Sequence, residues 1–115
     1  MSIKSSVVGD GNVVIAEPKG SFIGGTETDE LKAAINGVLE QGKIKLILDF
    51  AGVEYLNSSA IGVLTVAHTA FGSRGGKMIL CNVNKSISNI FLVTKLSTIF
   101  LTEETRNDAI HAIGK

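Results

Sequence analysis

Few side chains in this sequence are equipped for covalent or acid–base chemistry. Those to weigh are His68 and His111, Cys81, Asp49, and the serine pair Ser58-Ser59. The two histidines are far apart in the chain and neither sits in an HExxH context, so each reads as structural. The serines lie in Leu56-Asn57-Ser58-Ser59-Ala60-Ile61-Gly62, which is not the GxSxG of a nucleophile elbow. On a shared helix His68 would stand about 15 Å along the axis from Ser58, too far to act as its base. Cys81 follows a hydrophobic strand-like run and reads as an inert core thiol. A single cysteine makes neither an internal disulfide nor a thiolate metal cluster. The chain has no GxxxxGK[ST] and no GxGxxG after a strand. The expectation is a non-enzyme with no catalytic residues, no cofactor and no metal site.

Asp49 ends a strand-like run, the position of a phosphoacceptor in response-regulator receiver domains. That chemistry also needs an acidic pair to hold a divalent cation and a lysine after the last strand. Here Asp10 falls in a hairpin turn, and the last strand-like run continues Leu101-Thr102-Glu103. Asp49 is therefore expected to hydrogen-bond a turn. Asn57-Ser58-Ser59 is more informative. These residues open a helix and make a good N-cap, and the free amides and positive dipole end there also suit an added phosphate.

The elements that must position these residues are legible from periodicity. Val7-Val8 and Val13-Val14-Ile15, joined by Gly9-Asp10-Gly11-Asn12, read as a hairpin, and Pro18 ends its second strand. Gly20 to Gly25 reads as a loop, and Thr26-x-x-Asp29 as the capping start of a helix that Gly42 stops. Leu31, Ala34, Ile35, Val38 and Leu39 give that helix its apolar face. Ile44 to Leu48 is a central strand, followed by a loop through Gly52 and Glu54. The second helix carries Ile61, Leu64, His68 and Phe71 on one face and Ala60, Val63, Ala67 and Ala70 on another. It is expected to be the most buried helix, ending at Gly72 to Gly76. Met78 to Cys81 is a strand, and Ile87, Ile90, Phe91 and Thr94 mark a third helix. Ile99-Phe100-Leu101 is a last strand, and Thr102 caps a closing helix burying Ala109, Ile110 and Ile113. The order β-β-α-β-α-β-α-β-α implies an α/β fold with a mostly parallel sheet and an antiparallel N-terminal edge strand.

The chain has 115 residues, 44% hydrophobic and 19% charged, which fits one domain over 1–115. Such a chain buries about two-thirds of its unfolded surface, enough for a core without staples. Eleven basic residues balance eleven acidic ones, so the chain lacks the electrostatic footprint of a dedicated nucleic-acid or anionic-membrane binder. Met1-Ser2-Ile3-Lys4 leads into no apolar signal segment. Tyr55 to Ser73 reads as a buried helix with its leading turn rather than a membrane span. A soluble cytoplasmic protein is expected, with its oligomeric state left open.

The stretch from Asp49 to Leu64, Asp49-Phe50-Ala51-Gly52-Val53-Glu54-Tyr55-Leu56-Asn57-Ser58-Ser59-Ala60-Ile61-Gly62-Val63-Leu64, resembles the signature of STAS domains. It is most similar to the bacterial anti-sigma-factor antagonists. The likeness extends through Gly75 to Asn82 and to Ile90-Phe91-x-x-Thr94-x-Leu96. The resemblance implies partner switching in signal transduction and transcription regulation. The unphosphorylated domain binds an anti-sigma factor, a serine protein kinase of the histidine-kinase-like ATPase type, and frees a sigma factor. Phosphorylation of the first serine releases the antagonist, and a phosphatase restores it. That serine corresponds to Ser58, with Asn57, Ser58, Ser59 and Ile61 as the implied partner-binding residues. The alternative is a STAS adaptor subunit of a stressosome-like or lipid-transport assembly, without a phospho-switch. Three departures bear on the switch rather than the fold. Asn57 stands where the family usually has aspartate. Ile23 follows Gly20-Ser21-Phe22 where an aspartate is common, with one extra residue before Thr26. Thr94-Lys95-Leu96 replaces the usual Thr-Gly-Leu.

Overall fold

Side-chain alternation along the strands explains why helices cover both sides of the sheet. In this computed structural model, which describes residues 3–8, 12–22 and 25–114, the main sheet runs β1-β2-β4-β6-β7. Its strands are β1 (Lys4–Val8), β2 (Val13–Glu17), β4 (Lys45–Asp49), β6 (Lys77–Cys81) and β7 (Leu101–Glu103). β1 is antiparallel to β2, and the other pairs are parallel. Val14, Ala16, Leu46, Leu48, Met78 and Leu80 join the larger core. That core is completed by α1 (Gly25–Glu40), α2 (Ser58–Ser73) and α3 (Lys85–Val93). The intervening residues Ile15, Ile47, Ile79 and Cys81 meet Ala109 and Ile113 of α4 (Arg106–Ile113) on the other face. The same alternation continues to Glu17 and Asp49, the last residues of β2 and β4, and delivers both carboxylates to the α4 side. Burial of each large side chain here stabilises the fold by roughly 1.5–3 kcal/mol.

Several expectations are corrected. The segment expected to be a loop from Gly20 contains a strand, β3 (Lys19–Phe22), and the loop through Gly52 and Glu54 is another, β5 (Gly52–Leu56). They pair in parallel as a separate two-stranded sheet, with a register shift between Gly20 and Ser21. Neither segment has a β-branched run, and each strand has one neighbour, so the local signal is weak. α1 begins at Gly25, which places Thr26 inside the helix rather than at its cap. The last strand is Leu101–Glu103, with Phe100 buried just before it. Thr102 is therefore a strand residue, and α4 is capped by Thr105, whose hydroxyl accepts from the Asp108 amide at 3.1 Å. Gly9, Asp10, Gly11, Ile23 and Gly24, which the sequence reading placed in a turn and a loop, lie outside the described residues.

α2 is less enclosed than its composition suggests. Its buried stripe is Ala60, Leu64, Ala67 and Phe71, while Gly62, Val66 and Thr69 face outward. Val66 is 70% exposed. The helix ends as expected, and Gly76 is required there. A Cβ at this position would stand 1.8 Å from the Ile44 carbonyl oxygen, where the backbone closes against the start of β4.

Candidate functional site

β5 delivers the chain directly to the start of α2. Leu56 is buried at its end, and Val53 buries its side chain beneath. Asn84 fixes the strand from outside. Its Nδ2 donates to the carbonyls of Val53 at 3.1 Å and Glu54 at 3.2 Å, while its Oδ1 caps α3 by accepting from the Ile87 amide. One side chain thus anchors β5 and starts a neighbouring helix.

Of the three polar residues expected to cap α2, the cap is Asn57 alone. Its backbone is extended (φ −83°, ψ 175°), and its Oδ1 accepts from the Ala60 amide at 2.8 Å. Ser58 and Ser59 occupy the first two helical positions with exposed side chains. Their amides, like those of any first turn, have no acceptor within the helix. The first turn carries no acidic residue, so the positive end of the helix dipole is uncompensated at Ser58. Asn57 supplies the capping oxygen that an aspartate would, but without a negative charge. Phosphate on the Ser58 hydroxyl would meet amide donors and a favourable dipole. Ile61 is half-buried and packs against the larger core, so Asn57, Ser58 and Ser59 make up the open part of the expected surface. Tyr55, 45% exposed, flanks them from β5.

Asp49 bonds a turn, as the sequence implies, and does more. Its Oδ1 accepts from the Ala51 amide and from Asn82 Nδ2, each at 3.0 Å, and its Oδ2 accepts from Arg106 Nε at 2.8 Å. Arg106 also pairs with Glu17. Burial pushes the Asp49 carboxyl upward in pKa. The hydrogen bonds from Asn82, Ala51 and Arg106, with the guanidinium charge, outweigh this and hold it below its ordinary value. The carboxylate is fully engaged within the fold. Glu17, Asn82 and Arg106 were not singled out from the sequence, because nothing local links residues so far apart.

The remaining reactive groups are in structural settings. Burial, with the nearby Asp49 charge, pushes the Cys81 thiol up to about 12, which leaves it protonated and unreactive. His68 packs edge-on to Phe100 (ring centroids 6.1 Å apart), and its buried Nδ1 has no hydrogen-bond partner among the described residues. His111 lies exposed on α4. Among the described residues no cluster of His, Cys, Asp and Glu is arranged to hold a metal, and no helix is long and apolar enough to cross a membrane.

The family model for the STAS domain matches residues 4–109. The chain belongs to the STAS domain family. The crystal structure of a candidate anti-sigma factor antagonist from Thermotoga maritima superposes with a TM-score of 0.88. It is 23% identical, and the match covers 98% of this chain and 95% of that one. The phosphorylated form of the Bacillus cell-fate determinant SpoIIAA matches at a TM-score of 0.75 and 18% identity, over 97% and 99% of the two chains. BtrV of Bordetella bronchiseptica, named as a candidate anti-sigma factor antagonist, is 19% identical over 90 residues, 78% of each chain. At these identities the structural likeness bears on the STAS fold, which matches the α/β architecture expected from the sequence.

Proposed function

We propose that this STAS domain is an anti-sigma-factor antagonist switched at Ser58. Unmodified, it binds an anti-sigma factor that is also a serine kinase, and so frees a sigma factor. Phosphorylated, it lets the kinase go, and a phosphatase resets it. The observation that carries the reading is the exposed Ser58 hydroxyl at the first turn of α2, beside a neutral Asn57 cap and free amides.

Magnitudes select the mechanism. A phosphoserine adds roughly −1.5 to −2 charges. At a helix start the dipole favours that charge by about 0.3–1 kcal/mol, so the fold tolerates it. At an interface the same group must be desolvated, costing several kcal/mol per unpaired ion. A penalty of roughly 3 kcal/mol weakens binding more than a hundredfold. Phosphorylation therefore breaks the complex and leaves the domain folded.

The test uses the protein captured by the unphosphorylated domain from a lysate of its source cells, then purified. With ATP, that protein should label Ser58 and not Ser59, as phosphopeptide mapping reads. Calorimetric titration should show a more than hundredfold loss on phosphorylation, a partial loss in Ser58→Asp and retained binding in Ser58→Ala. Circular dichroism should be unchanged in all forms. Label persisting in Ser58→Ala would defeat the assignment. Binding with no phosphate transfer to Ser58 would favour a STAS adaptor without a switch.

A further inference from the structure

The strand that leads to Ser58 is irregular. Gly20 pairs with Val53 and Ser21 with Tyr55, which leaves Glu54 as an extra residue in β5 opposite that step of β3. Such a bulge is rare between parallel strands, and bulges re-aim the side chains that follow them. The effect shows in burial. Strict alternation would put Val53 and Tyr55 on one face. Instead Val53 and Leu56 are buried, while Glu54 and Tyr55 are exposed. Without the extra residue Tyr55 would turn inward and Leu56 outward. Asn57 and Ser58, the next two residues, would then enter α2 from the wrong face.

The Asn84 side chain sits on this bulge. Its Nδ2 donates both to the Val53 carbonyl at 3.1 Å and to the Glu54 carbonyl at 3.2 Å. Successive carbonyls of a regular pleated strand point to opposite edges, so one nitrogen reaches both only where the strand is irregular. β5 has one strand neighbour, β3, and Asn84 supplies part of what a second would. Capping α3 does not require this. The cap uses Oδ1, which accepts from the Ile87 amide at 2.8 Å, and serine or aspartate would cap as well. The amide of asparagine adds two donors that neither of those side chains has.

We propose that Asn84 is a positioning residue for Ser58: by holding the Glu54 bulge, it fixes the face on which β5 delivers that hydroxyl to the partner. The inference rests on the function proposed above. The Ser58 side chain is exposed, so its place is set by the backbone that carries it. In the transfer the Ser58 oxygen bonds the γ-phosphorus of ATP, ADP leaves, and the hydroxyl proton is released. A misplacement of about 1 Å can cost a hundredfold in a step of this kind.

The test compares wild type with Asn84→Asp and Asn84→Ser, using the purified captured partner and ATP. Both variants keep a capping oxygen for α3, and neither can donate to both carbonyls of β5. Amide exchange from Tyr55 to Ser59 should become roughly tenfold faster or more in both, while exchange within α3 stays as in wild type. The rate of Ser58 phosphorylation at saturating domain should fall roughly tenfold or more in both. A variant that is merely less stable stays folded well below its melting temperature and keeps that rate. Wild-type rates in both variants would overturn the positioning role, whatever the exchange shows, and leave the function standing. A loss in Asn84→Asp alone would trace to its added charge and would also overturn it. Slower transfer with wild-type exchange would mean that Asn84 touches the partner instead of holding β5, and the proposal would be wrong. If wild type itself takes no phosphate at Ser58, both readings fail.

Discussion

The N-termini of α2 and α4 use the same local device to opposite ends. Each is capped by a polar side chain that accepts from the third helical amide, Asn57 from Ala60 and Thr105 from Asp108. They differ at the first helical residue. In α4 it is Arg106, which reaches back to Asp49 and Glu17 at the strand ends and locks the helix to the sheet. In α2 it is Ser58, neutral and exposed. A capped helix start becomes a lock when its first side chain bonds to the sheet, and an open site when it does not.

The largest expected effect comes from breaking the lock. Asp49→Ala leaves the Asn82 amide and the Arg106 guanidinium without their shared acceptor, and should cost about 1–3 kcal/mol. The 3–5 kcal/mol typical of a fully buried pair is too much here, because the Arg106 side chain is 35% exposed. The pH dependence has a fixed sign. Asp49 titrates below its ordinary value when folded, so its contribution is present above the unfolded carboxyl pKa of about 3.9 and is lost as pH falls through the lower folded value. Urea melts at pH 7 and across the acid range should show the gap between wild type and variant closing below about pH 4. A gap that persists in acid would mean that Asp49 acts through packing rather than charge.

The second prediction contrasts two adjacent residues of the open site. Asn57→Ala removes the cap and should cost about 0.5–2 kcal/mol. Ser58→Ala removes an exposed hydroxyl without a capping role and should stay within roughly 0.5 kcal/mol of wild type. Equal losses in chemical denaturation would mean that Ser58 shares the cap and is not free for a switch.

How much of this was legible in sequence depended on the range of the signal. Ile47 and Ile79 sit in β-branched or aliphatic runs that mark central strands, and Ile87, Ile90 and Phe91 carry helical spacing. These signals are local and they held. Lys19 to Phe22 and Gly52 to Leu56 carry glycine, charge and little β-branching, so their strands become visible only once each has the other as a partner. The apolar run Ile99-Phe100-Leu101 marks a last strand, but pairing with Ile79, Leu80 and Cys81 shifts it to Leu101–Glu103, a shift that no local propensity encodes. The site divided in the same way. Asn57 to Ser59 could be located from their own composition and the STAS resemblance. The Asp49–Arg106 lock arises from residues that meet only in the fold.

A smaller effect than loss of the lock or of the cap lies at a third helix end, the exit of α3, and checks that the two helix starts act independently of overall stability. Lys95 adopts φ 65°, ψ 12°, a left-handed conformation in the turn before the short helix Leu96–Thr98. This is where the usual Thr-Gly-Leu of the family reads Thr94-Lys95-Leu96. For a residue with a Cβ this conformation costs about 1–2 kcal/mol. Glycine removes that strain but loses roughly 0.4–1 kcal/mol through the greater freedom of its unfolded chain. Lys95→Gly should therefore stabilise the domain by about 0.5–1 kcal/mol, read as a higher urea midpoint with an unchanged slope. Affinity for the captured partner should stay at the wild-type value, because nothing at α2 has changed. A destabilised variant would show that the Lys95 side chain makes contacts worth more than the strain. A stabilised variant with altered affinity would show that global stability sets partner binding, and the contrast between an open α2 start and a locked α4 start would lose its functional meaning.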